Sequence, residues 1–257
     1  MLNFRHTNIF FIALLAILIV VHIKYGMPIL AYLLLTIVYS LIVFWGCYYV
    51  GSNFFIKVIC KANTNKKEIA ISFDDGPAAN YTKEILEVLN TENVKATFFC
   101  IGNRIAGNEN ILQQIHTQGH LIGNHSYSHH FWFDMYSAKK MQEDMEQMDT
   151  EMKRVIGLKP KLFRPPYGVT NPNLAKAIIK GGYTPVGWSV RSMDTVIKDE
   201  NILLNKINAG IKPGAVFLFH DTSKTSLGVL PNFIQEVKKR GYNIIPLDKL
   251  LALQSYA

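Results

Sequence analysis

The chain opens on two long apolar blocks. "IFFIALLAILIVVHI" runs from Ile9 to Ile23 with His22 as its one polar residue, and "MPILAYLLLTIVYSLIVFWGCYYV" runs from Met27 to Val50 without a charge. A helix of about 20 apolar residues crosses the ~30 Å hydrocarbon core of a bilayer. The second block is ample for that, and its end, with Trp45, Tyr48 and Tyr49, suits an interfacial aromatic belt. The first is short enough to border on a signal-peptide core, but no small-residue cleavage pattern follows it, so an uncleaved helix is expected. "HIKYGMP" between the blocks reads as a tight turn. Residues 1–61 are therefore expected to form a membrane anchor, a helical hairpin with spans near 7–24 and 27–50. A single span is the fallback, and two buried helices of a soluble domain are the competing reading.

From Glu68 onward the pattern changes to short apolar runs alternating with stretches of helical period. Strands are expected at 68–73, 95–102, 120–125, 160–166, 183–190, 214–220 and 242–247. Helices are expected at 81–93, 108–119, 137–157, 172–181, 200–210 and 228–240. Ser137 is placed to cap the long third helix, and its Met141, Met145, Met148 and Met152 recur at helical spacing, which reads as core packing. About seven βα units predict an α/β domain over 62–257, with a mostly parallel sheet and helices outside it. No glycine-rich phosphate loop follows the first strand, so a (β/α) barrel is expected rather than an open dinucleotide-binding sheet.

Charge sharpens this division. Residues 1–67 hold six of the 27 basic residues (Arg5, Lys24, Lys57, Lys61, Lys66, Lys67) and none of the 19 acidic ones, so they carry six of the formal +8. The other 190 residues are nearly neutral, with 21 basic against 19 acidic. Basicity confined to the anchor points to a membrane surface and gives no sign of a nucleic-acid partner. Cys47, Cys60 and Cys100 show no paired spacing and are expected to be core or membrane thiols.

In a barrel, chemistry collects where strands end. Asp74 and Asp75 end the first expected strand, in "ISFDDGP". His125 and His129 follow the third, in "HSYSHH"; Arg164 ends the fourth, in "RPPYG"; Asp194 follows the fifth; His220 ends the sixth, in "VFLFH". Two adjacent carboxylates repel each other unless a cation lies between or beside them. His-x-x-x-His with one carboxylate makes a set that suits zinc and leaves positions open for water and substrate. The second carboxylate is then free to act as general base. His130 is an alternative to its neighbour, but the four-residue spacing favours His129. His116 and His120, also four apart, read as surface residues.

These motifs, in this order and at these strand ends, closely resemble those of the NodB-type polysaccharide deacetylases, carbohydrate esterase family 4. The resemblance covers about residues 66 to 250. It implies a distorted (β/α) barrel and metal-dependent removal of acetyl groups, usually from N-acetylated amino sugars. It further implies Asp75, His125 and His129 as ligands of one divalent ion, most simply Zn2+, with Co2+ or Ni2+ as alternatives. Asp74 resembles the general base, Arg164 the residue orienting it, and His220 the general acid, tuned by Asp194. Pro166 and Tyr167 lie in the substrate-binding motif, where the Tyr167 backbone N–H would help hold an oxyanion, and Leu218 matches an apolar wall of the acetyl pocket. One motif departs: Arg191 and Thr195 in "RSMDT" stand where the family often has Asp and Trp. Trp188 is a candidate stacking face for a sugar, or a core residue.

The expected substrate is a glycan such as peptidoglycan, a chitin-like oligosaccharide or an exopolysaccharide. A lipid-linked sugar that loses an acyl or formyl group is the alternative, and an inactive glycan-binding module is a third reading. The bilayer is the other expected partner, with the chain integral to the cell (inner) membrane. A hairpin would put the basic flank and the catalytic domain on one side, which the positive-inside rule assigns to the cytoplasm. A wall substrate requires the domain outside, and that side is expected on the resemblance.

Overall fold

The chain was analysed as a computed structural model, which describes residues 2–257. The two apolar blocks form α1 (Phe4–Tyr25) and α2 (Ile29–Tyr48). Asn3 caps α1 by accepting the His6 amide, and His22 Nδ1 accepts the Met27 amide at 3.0 Å across the turn, where Gly26 has φ 69°. Tyr39 donates to Asn8 at 2.9 Å and ties the two helices together. Within the helices only Thr7 and Gly46 are buried. Helices apolar all round, with their side chains facing outward, are not the core of a soluble domain. Both are long and apolar enough to cross a membrane.

The rest is a parallel sheet wrapped by helices. Its strands are β1 (Glu68–Asp74), β2 (Thr97–Cys100), β3 (Leu121–Asn124), β4 (Leu162–Phe163), β5 (Thr184–Pro185), β6 (Val190–Arg191), β7 (Val216–His220) and β8 (Asn243–Ile244). The order is β5-β4-β3-β2-β1-β7-β6, with β8 beside the start of β1. Alternation along the strands separates two environments. Ile69, Ile71, Phe73, Phe217 and Phe219 face the outer helices in the main apolar cluster, while Ala70 and Val216 belong to a second cluster. The Ala70 face also carries Ser72 and Asp74, and the Val216 face carries Leu218 and His220, so two reactive groups share the inner face at one rim.

The outer helices are α3 (Thr82–Thr91), α4 (Glu109–Thr117), α5 (Ala138–Ile156), α6 (Pro172–Gly181), α7 (Glu200–Ala209), α8 (Lys224–Lys239) and α9 (Leu247–Leu251). Ser137 caps α5 by accepting the Lys140 amide at 3.3 Å, and the four methionines of its stripe are fully buried. Asn171 caps α6 at the Leu174 amide, with Pro172 in its first turn.

The barrel is not closed by its named strands, because β5 and β6 do not pair with each other. The chain leaving α2 lies across that gap: Ile59 bridges to Val186 beyond β5, and Lys61 bridges to Ala215 before β7. Thr170 donates through its amide to Cys47 O at 3.0 Å and through its hydroxyl to Gly46 O at 3.3 Å, which seats the end of α2 against the barrel. The boundary expected between residues 61 and 62 falls inside this closing stave. Cutting there would remove the Ile59 and Lys61 bridges.

Three expectations need correction. The single strand expected over 183–190 is two short ones, β5 and β6, and between them Val186 and Gly187 turn their carbonyls toward Arg164. The last long helix begins at Lys224, capped by Ser223, rather than at 228. His120 is buried, not on the surface: its Nδ1 accepts the Ala96 amide at 3.1 Å, and burial pushes its pKa down to about 4.

Candidate metal-dependent active site

The parallel register brings the strand ends together. Asp74 lies opposite Phe99 on β2 and His220 on β7, and Asn124, which precedes His125, lies opposite Phe163, which precedes Arg164. Residues distant in sequence thus meet at one rim, as the topology requires.

Asp75 follows β1 in a left-handed conformation, φ 76°. Its Oδ1 lies 3.7 Å from His125 Nε2 and 3.5 Å from His129 Nε2. The three donor atoms all lie within 4.8 Å of one another, and Asp75 Oδ1 is buried without a hydrogen-bond partner. Buried polar atoms are ordinarily paired, so an orphan facing two imidazole nitrogens fits a missing cation. The tautomer agrees: His125 Nδ1 donates to Arg164 O at 2.8 Å, leaving Nε2 with its lone pair toward Asp75. Burial, then the neighbouring His125, holds the His129 pKa down at about 4, against the pull of Asp75 and Asp74, so the His129 ring is neutral and able to ligate. The other candidate histidine, His130, is exposed, stacks on Tyr136 and accepts the Trp132 amide.

The loop presenting the histidines is pinned from below. Asn124 accepts the Ser126 amide, Ser126 Oγ accepts the His129 amide, and Asp144 of α5 accepts the Tyr127 amide at 2.7 Å. Nothing in the sequence pattern singled out Asp144. It stands on the polar side of a helix read only for its methionines.

Asp74 is held from behind by Arg164, a fully buried side chain. Its Nη1 reaches Asp74 Oδ1 at 2.7 Å and Ser72 Oγ at 2.8 Å, its Nη2 donates to Gly187 O at 2.9 Å, and its plane lies 4.0 Å from the Phe99 ring centre. The other oxygen, Oδ2, is 3.7 Å from His125 Nε2. Asp74 therefore has one oxygen fixed and one turned toward the three donors.

His220 and Asp194 form a second charged pair. His220 Nδ1 donates to Asp194 Oδ1 at 2.8 Å, and the His220 amide donates to Oδ2 at 2.7 Å. Ser192 donates to Oδ1 and Ser226 to Oδ2. Burial pushes the Asp194 carboxyl up, but hydrogen bonds and charge from His220, with Ser226, outweigh it and hold it below the usual range. Burial pulls His220 down, and Asp194 more than reverses this, with Asp74 and Asp75 adding to the effect, to raise it to about 9.

Asp221, next in sequence, also escaped notice. It is fully buried beneath the Asp-Asp-Gly-Pro turn, where a Cβ at Gly76 would collide with its carboxylate. Thr82 donates to Oδ2 at 2.7 Å, Oδ1 has no partner, and burial raises its pKa to about 7. No periodicity distinguishes an acid directly after a strand-end histidine.

The remaining site residues surround this centre. Tyr167 has φ 59°, lays its ring 4.7 Å from that of His129 and donates to His129 O at 3.3 Å. Pro166 is buried before it, and Leu218 is buried on the inner face. Trp188 lies between Arg164 and Arg191, at 5.7 and 6.0 Å from their guanidinium carbons, and lines a surface cleft. The two departures separate: Arg191 lines that cleft, whereas Thr195 lines a different depression with Tyr81, Lys198 and Thr222.

Comparison with known proteins agrees with this fold. Residues 61–186 match the polysaccharide deacetylase family. The peptidoglycan-N-acetylglucosamine deacetylase of Listeria monocytogenes is 34% identical over 79% of this chain, which spans 42% of that protein's length. The peptidoglycan-N-acetylmuramic acid deacetylase of Bacillus subtilis is 32% identical over 74% of this chain and 73% of its own. Among solved structures, the Bc1960 peptidoglycan N-acetylglucosamine deacetylase superposes with a TM-score of 0.74 at 29% identity, covering 78% of this chain and 95% of the other. The chain belongs to the polysaccharide deacetylase family, carbohydrate esterase family 4.

Proposed function

We propose that this chain removes acetyl groups from N-acetylated amino sugars of a glycan, with peptidoglycan the leading substrate class, using one divalent cation held by Asp75, His125 and His129. The observation that carries the reading is the unpartnered, buried Oδ1 of Asp75 facing two imidazole nitrogens. The relatives, named as peptidoglycan deacetylases, support the substrate class.

A cation bound there supplies Lewis-acid polarisation of water and of the amide carbonyl. The chain's own residues do the rest. Asp74 takes the proton of the attacking water through Oδ2, while Arg164 holds Oδ1. The Tyr167 backbone N–H faces the oxyanion, and Pro166 and Leu218 wall the acetyl group. His220, cationic through Asp194, gives its Nε2 proton to the departing amine. Trp188 offers a face to a sugar ring. Zinc suits the two-histidine, one-carboxylate donor set, and cobalt or nickel also fit it.

The direct test is acetate release from a panel of N-acetylated glycans by the full chain in detergent, with and without chelator. Release abolished by chelator and restored by Zn2+ is expected. Release that is indifferent to chelator contradicts the reading.

His220 sets a pH dependence with a definite sign. It must be protonated to act, so rate should fall as pH rises through its pKa, about 9 here, lowered somewhat by a cation that offsets Asp74 and Asp75. Asp194→Asn removes the largest raising influence, so the alkaline limb should move down toward the ordinary value of 6.5. The same pair contributes stability in full below 6.5, and that contribution is lost as pH rises through 9. A pH–rate profile of both proteins checks the shift.

The apolar hairpin anchors the chain in the cell membrane, and the substrate class places the catalytic domain outside. Asn3–Phe4 and the barrel lie at the same end of the hairpin, with Phe4 N bonded to Phe54 O at 2.9 Å. A C-terminal reporter active only outside the cytoplasm should therefore be active. Activity solely of a cytoplasmic reporter would overturn the orientation.

A further inference from the structure

The seam where residues 57–61 close the barrel is also the wall of a cleft of about 1030 Å³. Ligand pockets of about 300–1,000 Å³ take a drug-sized molecule, so this cleft has room for more than one sugar ring. It neighbours the candidate metal centre across Tyr167, which lines the cleft and rests its ring against His129. Tyr49, the residue that follows α2, and Trp188 line it as well.

Its charge is one-sided. Lys57, Lys61 and Arg191 line it, and no lining residue is Asp or Glu. All three are exposed. Among the described residues, none of the three has an ion-pair partner within 4.0 Å, and none donates a side-chain hydrogen bond to another residue. Three unpaired cations around an acid-free concavity focus a positive potential into it, which favours an anionic ligand over a neutral one. Arg191 beside the Trp188 ring adds a planar fork for a carboxylate or phosphate next to a face for a sugar.

We infer that this cleft is an anion-recognising subsite: Arg191, Lys61 and Lys57 bind the acidic substituents of the glycan whose acetyl group lies at the metal centre, so the chain selects anionic over neutral N-acetylated glycans. The inference rests on the deacetylase reading for what occupies the centre, and its test separates the two. The full chain is placed in nanodiscs of zwitterionic lipid. Binding of a fluorescent, carboxylate-bearing peptidoglycan strand and of a neutral N-acetylglucosamine pentamer is then measured alongside acetate release from each. The unaltered chain should bind the anionic strand at least tenfold more tightly, with an advantage that shrinks as salt rises. An Arg191→Gln, Lys61→Gln double variant should lose that advantage about tenfold in both Kd and the kcat/KM ratio of the two glycans, and Arg191→Lys should restore part of it. An unchanged ratio in the double variant overturns the subsite. So does a defect that appears only when anionic lipid is added to the nanodisc, which would assign the cations to the membrane. Selective binding without acetate release from either glycan would leave the subsite standing and sink the catalytic reading.

Discussion

Asp74→Asn is expected to lower the rate of acetate release about 10²–10⁴-fold while leaving the bound metal in place. The substitution keeps the shape of the side chain, and its oxygen can still accept from Arg164 Nη1, now at 2.7 Å from Oδ1. What is lost is the basicity of Oδ2, the oxygen turned toward His125 Nε2 at 3.7 Å. Asp75, the unpartnered carboxylate, is untouched. Asp75→Asn should behave differently: it weakens the anionic ligand, so metal content and rate fall together. Acetate release and metal content measured on the two variants distinguish a base from a ligand although the residues are adjacent.

The second large effect is on stability. Arg164→Ala leaves Asp74 as a buried carboxylate with no counter-charge, and it orphans Val186 O, Gly187 O and the pairing of Ser72. Breaking a buried pair from one side costs about 3–5 kcal/mol. The turn at Val186 and Gly187 should loosen as well, since both carbonyls accept from this guanidinium. Arg164→Lys should rescue little, because one ammonium cannot reach the four acceptors that the planar fork spans. Chemical unfolding of the purified variants reads the loss. The Asp74→Asn, Arg164→Ala double variant should be less destabilised than the sum of the singles, because the stranded charge is gone.

Much of the site was legible because strand ends carry unusual residue types. Asp74, Asp75, Arg164 and His220 interrupt apolar runs, and in a parallel sheet every such interruption falls on the same rim. The spacing of His125 and His129 mattered for the same reason: a short turn lets two rings converge on one carboxylate, whereas His130 is carried outward to Tyr136. What pattern did not reveal depends on partners rather than on period. The stave at 57–61 has no alternation of its own and pairs through isolated bridges, so it read as the tail of the anchor. Residues 183–190 are apolar enough for one strand, but the run breaks where Val186 and Gly187 turn their carbonyls toward Arg164. His120 looks like a surface residue at a helix end until the Ala96 amide is seen donating to it. Asp144 and Asp221 lie on elements whose apolar period drew the reading elsewhere.

The claim beneath the whole account is that Asp75, His125 and His129 share one cation. Elemental analysis of the purified full chain, beside Asp74→Asn and His125→Ala, tests it most directly. One divalent ion per chain in the unaltered protein and in Asp74→Asn, with less than a tenth of that in His125→Ala, is the predicted result. Sub-stoichiometric metal in the unaltered chain after incubation with Zn2+, or full occupancy in His125→Ala, would contradict it.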